Sequence, residues 1–115
     1  MTINKRVTGS FNEQRAAEYL IDNGYTILER NFSCKKGEID IIAKKDNMIV
    51  FVEVKYRSSP RYGLSYEAVT PKKQHTIINV AKHYLISHNI PMNNKIRFDV
   101  CGFDNGIITY IKNAF

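Results

Sequence analysis

Apolar residues fall at helical spacing in two stretches of the chain and alternate with polar ones in several others. Ala16, Ala17, Leu20 and Ile21 recur every three or four residues. Ser10-Phe11-Asn12-Glu13 ahead of them fits an S-x-x-E capping box, and Asn23-Gly24 closes the run. The pattern predicts a first helix over residues 10–23. Tyr25 to Phe32 alternates and is rich in β-formers, with Lys36-Gly37 as a turn signal after it. The stretch GEIDIIAKKDNMIVFVEVK then breaks at Asp46-Asn47 into strands expected over 38–44 and 48–57.

Ser58 to Ser65 reads as a turn-forming loop, and Thr70-Pro71 offers an N-cap and a first helical residue. Ile77, Ile78, Ala81, Tyr84 and Leu85 then place a second helix over 71–88. Lys95–Phe103 and Ile107–Lys112 flank Asp104-Asn105-Gly106, whose Asn-Gly marks a hairpin. The order αβββαβ plus a C-terminal strand implies an α+β fold of the α/β sandwich type, a mixed sheet flanked by helices, with residues 1–115 as a single domain.

The central hairpin carries charges where buried strands carry none. With Asp46-Asn47 at its tip, paired residues sum to 93, which sets Asp40 opposite Glu53 and Glu38 opposite Lys55. Alternation puts Ile39, Ile41, Ala43, Val50, Val52 and Val54 on one apolar face, and the charged residues toward the far end of the other. Two opposed carboxylates about 5 Å apart repel by roughly 3 kcal/mol at an effective dielectric near 20. A divalent cation offsets that repulsion, and Mg²⁺ prefers one or two carboxylates plus water and phosphate oxygens. The plain alternative pairs Glu38 with Lys55 and leaves Asp40 and Glu53 as exposed strand-end charges.

Glu13 shares the apolar stripe of the first helix, so a third carboxylate faces inward unless the capping box with Ser10 claims it. Lys72, Lys73 and Gln74 crowd the positive N-terminus of the second helix, where a phosphate can be held, although lysines also serve as a solvated face and Gln74 as a first-turn hydrogen-bond partner. Arg57 and Arg61, with Tyr56, Tyr62 and Tyr66, follow the third strand and could track a nucleic-acid backbone and its bases. The three histidines have no ligand spacing with the carboxylates. Asp99 interrupts a strand and most simply pairs with a nearby cation or caps a loop.

Composition narrows the partners. Seventeen Lys and Arg against eleven Asp and Glu give a net charge of +6, which favours an anionic partner. No apolar run approaches the roughly 20 residues of a membrane span, and the start lacks the apolar core of a secretory signal, so a cytoplasmic protein without membrane contact is expected. Cys34 and Cys101 stand far apart and read as free thiols.

Asp40 followed by Glu53-Val54-Lys55 resembles the D...(D/E)-x-K signature of the PD-(D/E)XK nuclease superfamily, whose core has the same element order. More closely, Glu13 leading into AAEYL, then GYTILERNF, GEIDIIA, VFVEVKYR, EAVTPKKQ and RFDV are similar to the bacterial YraN family across nearly the whole chain. Archaeal Holliday-junction resolvases are similar in layout. The superfamily resemblance implies Mg²⁺, with Mn²⁺ as a substitute, held by Asp40, Glu53, the Val54 carbonyl and Glu13, and Lys55 orienting or activating water. It implies hydrolysis of phosphodiesters, in DNA rather than RNA and in branched or structured DNA above all, with a homodimer as one way to cut two strands. Ile39 stands where the superfamily has Pro, and Asn12 where the YraN pattern has Gly. A nucleic-acid-binding module without turnover is the alternative, although binding alone has no use for the acids.

Overall fold

The computed structural model describes residues 5–57 and 69–115, with side chains from Phe11 to Tyr56 and from Val69 onward. Two helices and five strands follow in the order α1 (Lys5–Asp22), β1 (Thr26–Cys34), β2 (Gly37–Lys45), β3 (Met48–Arg57), α2 (Pro71–Ser87), β4 (Lys95–Asp104) and β5 (Ile107–Ile111). The strands form one sheet in the order β1-β2-β3-β4-β5. All neighbours are antiparallel except β3 and β4, which run parallel because α2 lies between them in the chain. This is the expected α+β architecture, in a restriction-endonuclease-like layout.

Local chemistry places the turns and caps. Thr70 accepts the Lys73 N–H at 3.2 Å and Pro71 opens α2, as the sequence suggests. Asn105 and Gly106 adopt φ of 53° and 78°, which matches the two-residue hairpin between β4 and β5. Gly37 has φ of 146°, and a Cβ there would lie 2.7 Å from the Thr76 Cγ2 on α2. No other residue lets the β1–β2 hairpin lie so close to that helix.

The first helix begins at Lys5, five residues before the expected start. Ser10 therefore lies inside the helix, and its spacing to Glu13 is not a capping box. An S-x-x-E string caps only where the chain ahead of it is not helical. Glu13 stands about two turns inside the helix and is free of that duty. Ile21, grouped with the buried stripe by its spacing, is 56% exposed, because the stripe narrows to Ala16, Ala17 and Leu20.

Both faces of the sheet are covered. On the α1 side Ala16, Ala17 and Leu20 pack against Ile41, Ala43, Val50, Val52, Cys101 and Phe103. On the α2 side Ile77, Val80, Ala81 and Tyr84 pack against Ile39, Ile42, Ile49, Phe51 and Val100. Ile39 thus lies on the opposite face from Ile41, contrary to simple alternation. The fault lies at Asn31 and Asp40, where the β1–β2 pairing skips a row and Asn31 takes φ of 54°. A residue in that conformation interrupts the pleat, so parity is not carried across it. Cys34 and Cys101 are free, as expected. No helix among the described residues is long and apolar enough to cross a membrane.

One charged residue anchors the C-terminal strands. Asp99 is fully buried and accepts four hydrogen bonds: Arg97 Nε at 2.8 Å, Arg97 Nη2 at 2.7 Å, the Tyr110 hydroxyl at 2.6 Å and the Asn113 N–H at 2.9 Å. Arg97 also donates to the Tyr25 hydroxyl at 2.6 Å, which ties β4 to the residue just ahead of β1. The expected pairing of Asp99 with a cation is met by Arg97. Replacing Asp99 with Ala strands a half-buried guanidinium and a half-buried hydroxyl, and should cost about 2–4 kcal/mol in a denaturant titration; a loss below about 1 kcal/mol would show that the network is ornamental.

Candidate metal centre

The expected register holds where the hairpin is paired: Lys45 with Met48, Lys44 with Ile49, Ala43 with Val50, Ile42 with Phe51 and Ile41 with Val52 all sum to 93. Pairing stops there. At the next row Asp40 supplies its side chain instead, and its Oδ2 accepts the Val54 N–H at 2.8 Å. The two strands part around this carboxylate, while Glu53 and Val54 remain paired to Val100 and Cys101 of β4. The gap is what allows acidic side chains to enter the sheet.

Four carboxyl groups converge on it from three elements. Asp40 and Glu38 come from β2, Glu53 from β3 and Glu13 from α1. Oxygens of Glu13, Glu38 and Asp40 lie within 4.8 Å of one another. Glu53 approaches Asp40 from the α2 side and is only 5% exposed. Its Oε2 is buried without a hydrogen bond, and Lys73 Nζ stands 3.8 Å away, too far for one. The alternative of exposed strand-end charges therefore fails for Glu53. Among the described residues no ion pair joins Glu38 to Lys55.

Burial sets the protonation of the cluster. Loss of solvent, then the hydrogen bond and charge of Asp40, push the Glu53 pKa up to about 9, against the opposing pull of Lys73 and Lys55. Glu13 is raised by the same causes, burial first and Asp40 second, with Arg30 opposing. Without a cation, Glu53 holds a proton at neutral pH. A divalent ion can replace that proton, and the donors on offer are hard oxygens of the kind Mg²⁺ and Mn²⁺ take. The residues present fit such an ion.

The other candidate residues divide. Lys55 is half-buried and close enough to lower the Glu53 pKa. Lys73 reaches the same carboxyl from α2, and Lys72 beside it is exposed. Gln74 is occupied locally, its Nε2 donating to the Val69 carbonyl at 3.1 Å. The Val54 carbonyl shares the residue whose N–H binds Asp40. Tyr56 is exposed at 38%. The Arg57 side chain, and Arg61, Tyr62 and Tyr66 with the expected loop, lie outside the described residues.

Two further residues reach the site that spacing does not mark as ligands: Glu38, which the plain alternative pairs with Lys55, and Asn31, which falls within the expected first strand. With its amide oriented by its hydrogen bonds, Asn31 donates to Glu13 Oε1 at 2.8 Å and Glu38 Oε1 at 3.2 Å. The only signal for either in the sequence is an Asn between Arg30 and Phe32 in a strand, since Asn disfavours strands and tolerates positive φ.

Residues 12–103, which hold all the candidate site residues, match the description "Uncharacterised protein family UPF0102". The chain belongs to this family. A UPF0102 protein of Lachnoclostridium phytofermentans is 47% identical over 113 residues, covering 98% of this chain and 96% of the relative. One from Clostridium botulinum is 48% identical over 113 residues, covering 93% and 92%. Another, from Caldanaerobacter subterraneus subsp. tengcongensis, is 50% identical over 98 residues, covering 85% and 80%. The YraN resemblance read from the motifs falls in the same family.

A carboxyl whose pKa rises on folding contributes its stability below the unfolded value, near 4.5, and loses it as pH climbs toward 9. Glu53→Gln keeps the shape and a donor to Asp40 but cannot lose a proton. In chelator, the variant should melt within about a degree of wild type at pH 4 and several degrees higher at pH 9. Scanning calorimetry at the two pH values checks this, and an equal shift at both would remove the pKa argument.

Proposed function

We infer that this UPF0102 protein is a Mg²⁺-dependent nuclease of the PD-(D/E)XK type, hydrolysing phosphodiester bonds in DNA. The observation that carries the reading is the Asp40–Glu53 pair at the split of β2 and β3, with a buried Glu53 oxygen that no donor satisfies and two lysines beside it. Asp40, Glu53 and the Val54 carbonyl would hold the ion, with Glu13 in support. When bound, Mg²⁺ supplies Lewis-acid polarisation of the scissile phosphate.

The chain's own residues supply the rest. Glu53 would hold the ion as a carboxylate, its proton released to solvent, and so complete the charge balance. Lys55, two residues after Glu53 on β3, orients the attacking water and stabilises charge that develops on the phosphoryl oxygens. Lys73, from the first turn of α2, is placed to receive a phosphate once Glu53 has a cation for a partner. Lys72 and the net charge of +6 draw the backbone toward this end of the sheet. Branched or structured DNA is the favoured substrate because the element order and acid positions are similar in layout to those of archaeal Holliday-junction resolvases.

A cleavage screen in Mg²⁺ over single-stranded, duplex and four-way-junction DNA and matched RNA tests the assignment. Asp40→Asn and Glu53→Gln should lower the rate at least about a thousand-fold, and Lys55→Ala about a hundred-fold or more, while DNA binding in Ca²⁺ persists. Binding without cleavage of any substrate by wild type would leave the non-catalytic module in its place. Lys72→Ala/Lys73→Ala should weaken binding and reduce the slope of log K against log salt by up to about two.

A further inference from the structure

The first two strands outrun the third. Pairing between β2 and β3 ends at Ile41 and Val52, but β1 and β2 stay paired through Phe32 and Ile39, Ser33 and Glu38, and Cys34 and Gly37. Beyond Asp40 they form a two-stranded ribbon that closes through Lys35 and Lys36. Lys36 is four residues from Asp40, so the tip stands about 13 Å along the strand from the acid pair.

The ribbon is held against α2. Phe32 meets the Tyr84 ring edge-on, with centroids 5.2 Å apart, and Ile39 is buried under the same helix. Gly37 lies so close to that helix that a Cβ there would stand 2.7 Å from the Thr76 Cγ2. Lys72 is one turn before Thr76, about 6 Å along the helix axis. The two elements that touch at Gly37 therefore bring Lys35, Lys36, Lys72 and Lys73 to one end of the sheet, the end at which β2 and β3 part around Asp40 and Glu53.

Lys35, Lys36 and Lys72 are exposed, and among the described residues none of them is paired to a carboxylate. From Asn31 to Glu38 the exposed residues are Asn31, Ser33, Lys35, Lys36 and Glu38. Glu38, the one acid among them, is held by Asn31 at 3.2 Å beside Glu13 and Asp40, away from the tip. None of the five is aromatic, and the one ring of the ribbon, Phe32, packs on α2. Proteins that hold single strands combine a basic groove with rings on which bases stack. A rigid ribbon with lysines at its tip and no exposed ring offers phosphate contacts alone, which suit a backbone of fixed shape. Duplex DNA has such a backbone, and about 13 Å spans about four of its base pairs at 3.4 Å each.

We propose that the β1–β2 ribbon is a contact surface for a double-stranded DNA arm, whose phosphates Lys35 and Lys36 take about four base pairs from the acid pair. Lys72 reaches the same arm from α2. The contacts are to backbone and carry no base preference. This inference rests on the proposed function for its partner and narrows the substrate: the bond to be cut is flanked by duplex on the ribbon side. Neither tip lysine belongs to the D...(D/E)-x-K pattern.

Fluorescence anisotropy in Ca²⁺ over a range of salt, with a short duplex and a single strand of equal length, tests the ribbon apart from cleavage. Lys35→Ala/Lys36→Ala should bind the duplex about tenfold or more weakly near 0.1 M salt, flatten the slope of log K against log salt by up to about 1.8, and bind the single strand as wild type does. Lys44→Ala/Lys95→Ala removes the same charge from exposed positions at the opposite end of the sheet and should change neither. Circular dichroism verifies that both variants are folded. On a cleaved substrate the tip variant should raise KM and keep kcat. Wild-type duplex affinity and slope in the tip variant, or an equal loss in Lys44→Ala/Lys95→Ala, overturns the ribbon, and cleavage by wild type then still upholds the nuclease. Equal weakening on duplex and single strand also overturns it. Loss confined to the duplex, in a protein that cleaves nothing, supports the ribbon and removes the nuclease reading alone. Wild type that binds neither DNA overturns both.

Discussion

The site exists because one backbone hydrogen-bonding row of the sheet is given to a side chain. At Asp40 the β2–β3 ladder ends, and the carboxylate takes the Val54 N–H that a backbone carbonyl would otherwise accept. A buried N–H must have a partner, and a carboxylate satisfies it at no loss. Once the strands part there, Glu53 is drawn into the gap and Glu13 can reach Asp40 from α1. The same row on the other side, at Asn31, is also unpaired, so the opening extends across β1, β2 and β3.

That opening is costly in the metal-free protein. Glu53 is removed from water beside another carboxyl, and folding tolerates it by retaining a proton. Lys73, 3.8 Å away and partly exposed, offsets only part of the cost. A fold that needed only stability would place an apolar residue at 53, as it does at 50, 51 and 52, whose side chains are fully buried. The acid at 53 costs stability that an apolar residue would not, and the proposed metal site is built on it.

The remainder of the structure holds this row still. α1 and α2 bury opposite faces of the sheet and bring Glu13 and Lys73 to it from either side. The Asp99 network fixes β4, the parallel partner that keeps β3 straight where β2 departs. Gly37 permits the β1–β2 hairpin to lie against α2, so Glu38 follows immediately on the residue that sets the hairpin's position. Charged groups are thus carried on strands and helices rather than on loops, and their geometry has little freedom.

Seven elements, the two-residue turn at Asp46-Asn47, the 93 register and the Thr70 cap could all be read from the sequence, because each follows from spacing over a few residues. Asp40 and Glu53 were legible as a pair for the same reason: a hairpin register is a local fact. The face of Ile39, the start of α1 and the roles of Asn31 and Glu38 were not. Alternation assumes an unbroken pleat, and a capping box assumes a non-helical chain ahead of it; both assumptions are settled by neighbours distant in sequence. The sequence alone determined which acids share a hairpin and that the chain carries a net charge of +6. Only the tertiary structure decided that Glu53 is buried, that Glu13 is released from the helix end and that Asn31 clasps two carboxylates, because burial and side-chain convergence depend on which surfaces meet when the helices close over the sheet.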